Sequence, residues 1–488
     1  MRFADCRSAI RRAGFGRAGF GRVGSMLITT IAALLTVMAA QAEAAEGSSK
    51  PTPRVITRVF IQDPGEVTLR WADVLAGEPT KLTEPQIVAG FPQLDPERQT
   101  LVQMQAAAGK IMVGVRDNED GEFQSGWVLI DSGVEEEEHG DHSHWYYTAE
   151  PRVLASRLDE SQGNPAHLYC YDGVFYLAND RIGGFTRLDP SAIPPGSEES
   201  LIRSLAAFHV GGNGHITLAV AGDVAFSTWM SREPEHAARI DVTPVSASGT
   251  QEIAYSFSAN STGLHGATAA AGKVFFAPAE GIDWIEVPKA PLAGSPEPVV
   301  HNLSLGESEG KPLRTGSFAN LGNHVLFVSG RGDASFLGVI NAAADKPAVT
   351  KVGLAIPEGA RASGPKLIMS RTHGPLAIVF HDRAADVDAP DKASVIALDP
   401  DRDGDFADAK EIDLIDVGAS AVEGHSGHHD LAVDSLGRFA VITSPGDRSF
   451  DVRLTSNLVT VAAGELPFAP GHIVAVGGRG PLINPSDR

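Results

Sequence analysis

A strand, a glycine turn and a second apolar strand recur seven times along this chain. That repeat limits the fold more than any other feature. The instances are MQAAAGKIMVGV at Gly109, HLYCYDGVFYLA at Gly173, HITLAVAGDVAFST at Gly222, HGATAAAGKVFFAP at Gly272, FANLGNHVLFVS at Gly322, SRTHGPLAIVF at Gly374 and HDLAVDSLGRFAVI at Gly437. Successive glycines stand 64, 49, 50, 50, 52 and 63 residues apart. Helical periodicity is almost absent, and short apolar runs alternate with Gly, Pro, Asp and Asn, the pattern of strands joined by tight turns. A period near fifty predicts the four-stranded blades of a β-propeller, each burying its faces only against its neighbours.

The two chain ends complete the count. Gly471-His472-Ile473-Val474-Ala475-Val476 reads as an inner strand with no full blade after it, whereas the strands from Val55 to about Lys81 lack an inner strand before them. Pairing the two closes the ring and removes free sheet edges. The expected fold is all-β, a single propeller of seven or eight blades over residues 54–480; a pair of β-sandwiches is the alternative. The long gaps hold insertions at 134–148 and 399–411, where a rigid scaffold would carry function.

Residues 1–44 read as an export signal: an Arg-rich stretch to Arg22, the apolar run Met26 to Ala40, then small-x-small sites at Ala40-Gln41-Ala42 and Ala42-Glu43-Ala44. The apolar run falls short of the roughly 20 residues that span a bilayer, so cleavage near Ala44 is expected rather than a retained anchor. A flexible stretch 45–53 precedes the propeller and a tail 481–488 follows it. The mature protein is expected to be exported, with no membrane insertion after cleavage, and to be a monomer. Of the two cysteines, Cys6 leaves with the signal, so Cys170 has no partner for a disulfide. Without residues 1–44, 34 basic residues face 59 acidic ones, a net charge of −25. Such a surface repels phosphate backbones and excludes nucleic acid as a partner, while it attracts cations.

The first insertion carries Glu135 to Glu138, His139, Asp141, His142 and His144. Imidazole nitrogen among carboxylates suits zinc, copper or nickel better than calcium or magnesium. A solvated acidic loop is the plainer alternative. Histidines also recur by position: His167, His215, His265 and His429 stand six to eight residues before the turn glycines of four repeats. Equivalent positions on inner strands converge on one end of the central channel, so these four are expected to line a metal site. His428 should face away from His429; His373, His381, Asp382 and His425 are secondary candidates. His209, His236, His301, His324 and His472 read as surface or packing residues. The second insertion, Asp399, Asp401, Asp403, Gly404 and Asp405, has the D-x-D-x-D-G spacing of a calcium loop, but Lys410 occupies the twelfth position. An acidic hairpin is the alternative there. No G-x-S-x-G, P-loop, H-E-x-x-H or C-x-x-C motif occurs.

DSGVEEEEHGDHSHW (Asp131 to Trp145), NPAHLYCYDGVFYL (Asn164 to Leu177), Gly214-His215 and GLHGATAAAG (Gly263 to Gly272) follow one another in the first half of the mature chain. In these segments the chain resembles the periplasmic zinc metallochaperones called AztD, secreted propellers that pass zinc to the solute-binding protein of an ABC importer. The resemblance implies zinc as the bound metal, that solute-binding protein as partner, and His139, Asp141, His142, His167, His215 and His265 as metal positions. The N-terminal stretch AEGSSKPTPR holds no histidine, so capture would fall to the insertion at His139 to His144. A metal-dependent hydrolase of the lactonase or phosphatase type is the first rival. A propeller that only binds partners is the second.

Overall fold

The computed structural model describes residues 54–118, 124–288, 297–383, 390–422 and 427–480. The expected export signal, the stretch 45–53, the tail 481–488 and His425 lie outside them.

Eight antiparallel sheets follow one another along the chain and form eight blades. Their innermost strands are Ile473–Val476, Gln99–Ala107, Leu168–Tyr171, Leu218–Ala221, Ala267–Ala270, Ala319–Leu321, Lys366–Ser370 and Asp430–Val433. Each packs against the next, and Ile473–Val476 lies against both Asp430–Val433 and Gln99–Ala107, which closes the ring. Closure takes the expected form. The C-terminal strand pairs with Arg54–Asp63, with Arg58 opposite Val476 and Ile61 opposite Ile473.

The repeated glycines stand at the turns between first and second strands. All seven have positive φ, from 56° at Gly322 to 76° at Gly173. At Gly173, Gly222, Gly272, Gly322 and Gly374 a Cβ would meet nothing within 4 Å; backbone conformation, not space, selects glycine there. Ala108, Asp172 and Ala271 also have positive φ just before their glycines. That pair of left-handed residues makes the type I′ hairpin whose twist suits the flanking strands.

Packing explains why the strands read as continuous apolar runs rather than alternating ones. Each blade has two buried faces, so successive residues serve opposite neighbours. In Lys273–Phe276, Val274 and Phe276 pack towards the preceding blade, with Phe226 and Val242, while Phe275 packs towards the following one, with Val325 and Phe327. Eight hydrophobic clusters result, one for each pair of neighbouring blades. Cys170 is free and half-buried. Among the described residues no helix is long and apolar enough to cross a membrane.

Because every inner strand runs the same way, the ring has two different faces. One holds the starts of the inner strands, where the positional histidines lie. The other holds the glycine turns.

Both insertions rise from the glycine-turn face. The first is a two-stranded ribbon, Val134–Glu138 paired with Ser143–Tyr147, rather than the loop expected from its composition. Its base is anchored: Val134 and Trp145 are buried, and Tyr147 donates a hydrogen bond to the Gly478 carbonyl at 2.7 Å. Gly109 sits beside Val134, where a Cβ would stand 3.0 Å from the Val134 carbonyl. The acidic segment 399–408 also lies on this face, since Arg402 bonds the Thr372 carbonyl in a glycine-turn hairpin.

Candidate metal centre at the channel mouth

Three of the four positional histidines meet. His167 precedes one inner strand directly, and His215 and His265 stand two or three residues before the next two. Their ring centroids are 4.5 Å apart for His167 and His215, 4.9 Å for His215 and His265, and 6.2 Å for His167 and His265. His167 Nε2 and His215 Nε2 are 2.8 Å apart. All three are half-buried, close enough to act together and open enough to receive an ion from the channel.

In His215 and His265 the other nitrogen is held by the protein. His215 Nδ1 lies 3.3 Å from Asp180 Oδ2, and Asp180 Oδ1 accepts the Ile216 amide at 3.1 Å. Asp180 is buried, and its outer oxygen also meets Arg116 at 3.6 Å. His265 Nδ1 lies 3.3 Å from the Gly316 carbonyl. A carboxylate or carbonyl behind Nδ1 fixes the tautomer that leaves Nε2 as the outward lone pair, the usual support of a histidine metal ligand. Burial, with the charge of His215, His265 and Arg116 adding to it, pushes the His167 imidazole down to about 3. That ring is neutral at any physiological pH, the form a metal requires.

His167 and His215 bring two nitrogens together as zinc would need, whereas the donor atoms of the three rings do not all lie within 4.8 Å of one another, so His265 would swing inwards to join them. A tetrahedral ion with nitrogens near 2.1 Å needs them about 3.4 Å from one another, so the His167–His215 pair would open by about half an ångström to admit it. Asp180→Asn keeps the shape but removes the charge behind His215. Zinc affinity should fall by about 10–100-fold, read by competition with a chromophoric chelator; an unchanged constant would show that Asp180 does not support the site.

The fourth positional histidine does not join the cluster. His429 is buried, with Nδ1 2.8 Å from Asp382 Oδ1 and Nε2 2.9 Å from the Gly418 carbonyl. Both nitrogens are occupied, so it ties the strand Gly374–Arg383 to the loop at Gly418. Asp391 completes a buried group with Asp382 and His429. His428 does not point away from this group as strand alternation suggests: its Nδ1 is 3.0 Å from Asp382 Oδ2. His373 lies in a glycine-turn hairpin on the other face. His381 is buried against Ser394 Oγ at 2.9 Å.

His139, His142 and His144 converge at the ribbon tip with centroid separations of 5.0 to 5.3 Å. Asp141 Oδ1 lies 2.7 Å from His142 Nδ1. This second group of imidazoles is exposed and on the opposite face from the first. The extended run from His167 to Gly173 spans about 20 Å between the faces, so direct exchange between the two groups within one molecule, expected from the sequence, has no short path. At the acidic segment, carboxylate oxygens of Asp399, Asp401 and Asp403 lie within 4.8 Å of one another. Asp405 instead accepts the Ala407 amide, and the Glu411 carboxylate accepts the Ser394 hydroxyl.

Sequence reasoning missed Asp180, Gly316 and the role of His472. His209, His301 and His324 are packing residues as expected, stacked on Phe185, Trp284 and Phe406. His472 is different: its Nδ1 lies 3.0 Å from the buried Asp430 Oδ2, at the start of an inner strand. The repeated Gly-His-Ile at 214–216 and 471–473 is the sequence signal that marks it.

Fold and site together define an eight-bladed β-propeller with a histidine cluster at one channel mouth. The chain is similar in structure to AztD from Citrobacter koseri, with a TM-score of 0.58 and 17% identity over 88% of this chain and 100% of that one. The apo form of AztD from Citrobacter koseri also gives a TM-score of 0.58, at 16% identity, over 88% and 99%. At such identity the likeness establishes the fold. Dihydro-heme d1 dehydrogenase NirN aligns at a TM-score of only 0.47, with 13% identity over 85% and 74%. No family model and no curated protein matches the chain.

Proposed function

We propose that this protein is a periplasmic zinc carrier that holds the ion at His167, His215 and His265 and yields it to the solute-binding protein of an ABC importer. The carrying observation is the convergence of three imidazoles from three successive blades within 6.2 Å, centroid to centroid. The sequence resemblance and the structural likeness to AztD support zinc as cargo and the importer component as recipient. Three protein ligands leave one coordination position open. An acceptor's ligand can enter there before the first histidine leaves, so the ion need never be free. The exposed ribbon histidines with Asp141 would hold zinc more weakly, and the Asp399–Asp403 carboxylates suit a hard cation such as calcium.

The same open position favours a hydrolase as the second reading, since a zinc-bound water there would be an activated nucleophile. One experiment separates the two. Mature protein loaded with zinc is dialysed against a zinc-free solute-binding protein, and its hydrolysis of lactones and phosphate esters is assayed in parallel. A carrier transfers its zinc and leaves the esters intact; turnover without transfer would replace this reading by the hydrolase.

A further inference from the structure

The seventh and eighth blades meet over a buried group that the proposed carrier does not use. Asp382 stands at the end of the strand Gly374–Arg383, Asp391 just before the strand Lys392–Ala397, and His429 just before the inner strand Asp430–Val433. All three side chains are buried, and one donor atom from each lies within 4.8 Å of the others. His429 Nδ1 is 2.8 Å from Asp382 Oδ1 and 3.9 Å from Asp391 Oδ2. Its Nε2 is 2.9 Å from the Gly418 carbonyl. A carbonyl only accepts, so the proton of the neutral ring sits on Nε2 and Nδ1 presents a lone pair. That lone pair faces a carboxylate oxygen at hydrogen-bond distance, a contact between two acceptors that needs a cation between them. Asp391 points to the same need. Its Oδ2 accepts the Ser420 amide at 2.8 Å and the Ser420 hydroxyl. Its Oδ1 is buried without a hydrogen-bond partner among the described residues; Arg383 Nε stands 3.5 Å from it and is itself without one.

We infer that Asp382, Asp391 and His429 hold a divalent cation of mixed nitrogen and oxygen preference, manganese or zinc, that pins the seventh blade to the eighth. A proton on Nδ1 would satisfy Asp382 alone and leave Asp391 Oδ1 buried without a donor, which is costly. A divalent ion offsets both carboxylates at once and accepts the Nδ1 lone pair. The hydrogen bond from Nε2 to the Gly418 carbonyl is the backing that metal-bound imidazoles have. The carboxylates are backed in the same way, Asp391 by Ser420 and Asp382 by His428 Nδ1 at 3.0 Å. With bonds near 2.1 Å, donors stand about 3.0–3.4 Å apart. The His429–Asp382 pair therefore opens by a few tenths of an ångström, and Asp391 closes by about half an ångström. The ligands come from three separate segments and are all buried, so the ion is structural and does not exchange with cargo. This site shares no residue with the three-histidine cluster, and it does not require that the protein be a carrier.

The test uses full-length mature protein carrying His167→Ala and His265→Ala at the cluster, His139→Ala, His142→Ala and His144→Ala at the ribbon, and Asp401→Asn in the acidic segment. The protein is stripped with chelator and equilibrated with manganese, and the free ion is counted by its electron paramagnetic resonance signal, with circular dichroism to confirm the fold. This background should take up one equivalent of manganese and melt several degrees higher with the ion than without it. Adding Asp391→Asn should weaken that binding by at least about tenfold and abolish the rise. Absence of manganese binding in the background, or no change on adding Asp391→Asn, would overturn the site and leave a proton on His429 Nδ1. Should a variant fail to fold, crystals of the unaltered protein grown with manganese give the answer. Anomalous density between His429 Nδ1 and the two carboxylates supports the site, and a map with none there sinks it. Loss of zinc transfer in the carrier experiment would leave this result untouched.

Discussion

Replacing His167 and His265 together with alanine should lower zinc affinity at the mouth by more than about 100-fold, beyond what loss of a supporting carboxylate costs. The expectation follows from ligand count. Of three imidazoles, the variant keeps only His215, and a single nitrogen cannot outcompete water for a hydrated divalent ion. Stability should change little, because both side chains are half-buried at the rim and neither belongs to a hydrophobic cluster. For His167, whose burial disfavours its charged form, truncation even removes a desolvated polar group. Isothermal titration at neutral pH, with the ribbon histidines also replaced, reads the constant directly. An affinity within a few-fold of the parent would show that the three rings do not share an ion.

Ending the chain after Pro470 should abolish cooperative folding. The strand Ile473–Val476 supplies the inner edge of the first blade, paired from Arg58 to Ile61. Val476 packs in the cluster of the first and second blades and Ile473 in that of the eighth and first. Its loss uncovers Phe60, Val59 and Leu431's strand, and it leaves the ladder edge of Arg54–Asp63 that it paired open. Burial of a single large aliphatic side chain is worth about 1.5–3 kcal/mol. Several lost together consume most of the 5–15 kcal/mol by which a domain is stable. A soluble truncated chain with a sharp thermal transition close to that of the parent would refute this account of closure.

Much of the fold could be read in advance because each blade repeats one local problem. A type I′ turn demands glycine at Gly109, Gly173 and Gly272 whatever surrounds it, so spacing alone narrowed the ring to seven or eight blades and marked the ends to be joined. The three proposed ligands were legible for the same reason, since the start of an inner strand is a fixed place on the rim. His429 misled because two residues at equivalent sequence offsets can meet different neighbours: Asp382 and the Gly418 carbonyl captured both its nitrogens. Asp180 was invisible because it lies 35 residues from the histidine it supports, and only the packing of two neighbouring blades brings them together. The ribbon at Val134–Glu138 was hidden by four glutamates, residues that strands disfavour. Its partner strand shows the alternation that would have revealed it, with Trp145 buried between exposed His144 and Tyr146.

The placement of the ribbon on the glycine-turn side has a practical corollary. Whatever grips the glutamates at 135–138, be it a basic protein, an affinity resin or a sensor chip, leaves the far opening of the channel unobstructed. The molecule can thus be tethered by one end and loaded or emptied at the other, and the two events need not compete for the same surface.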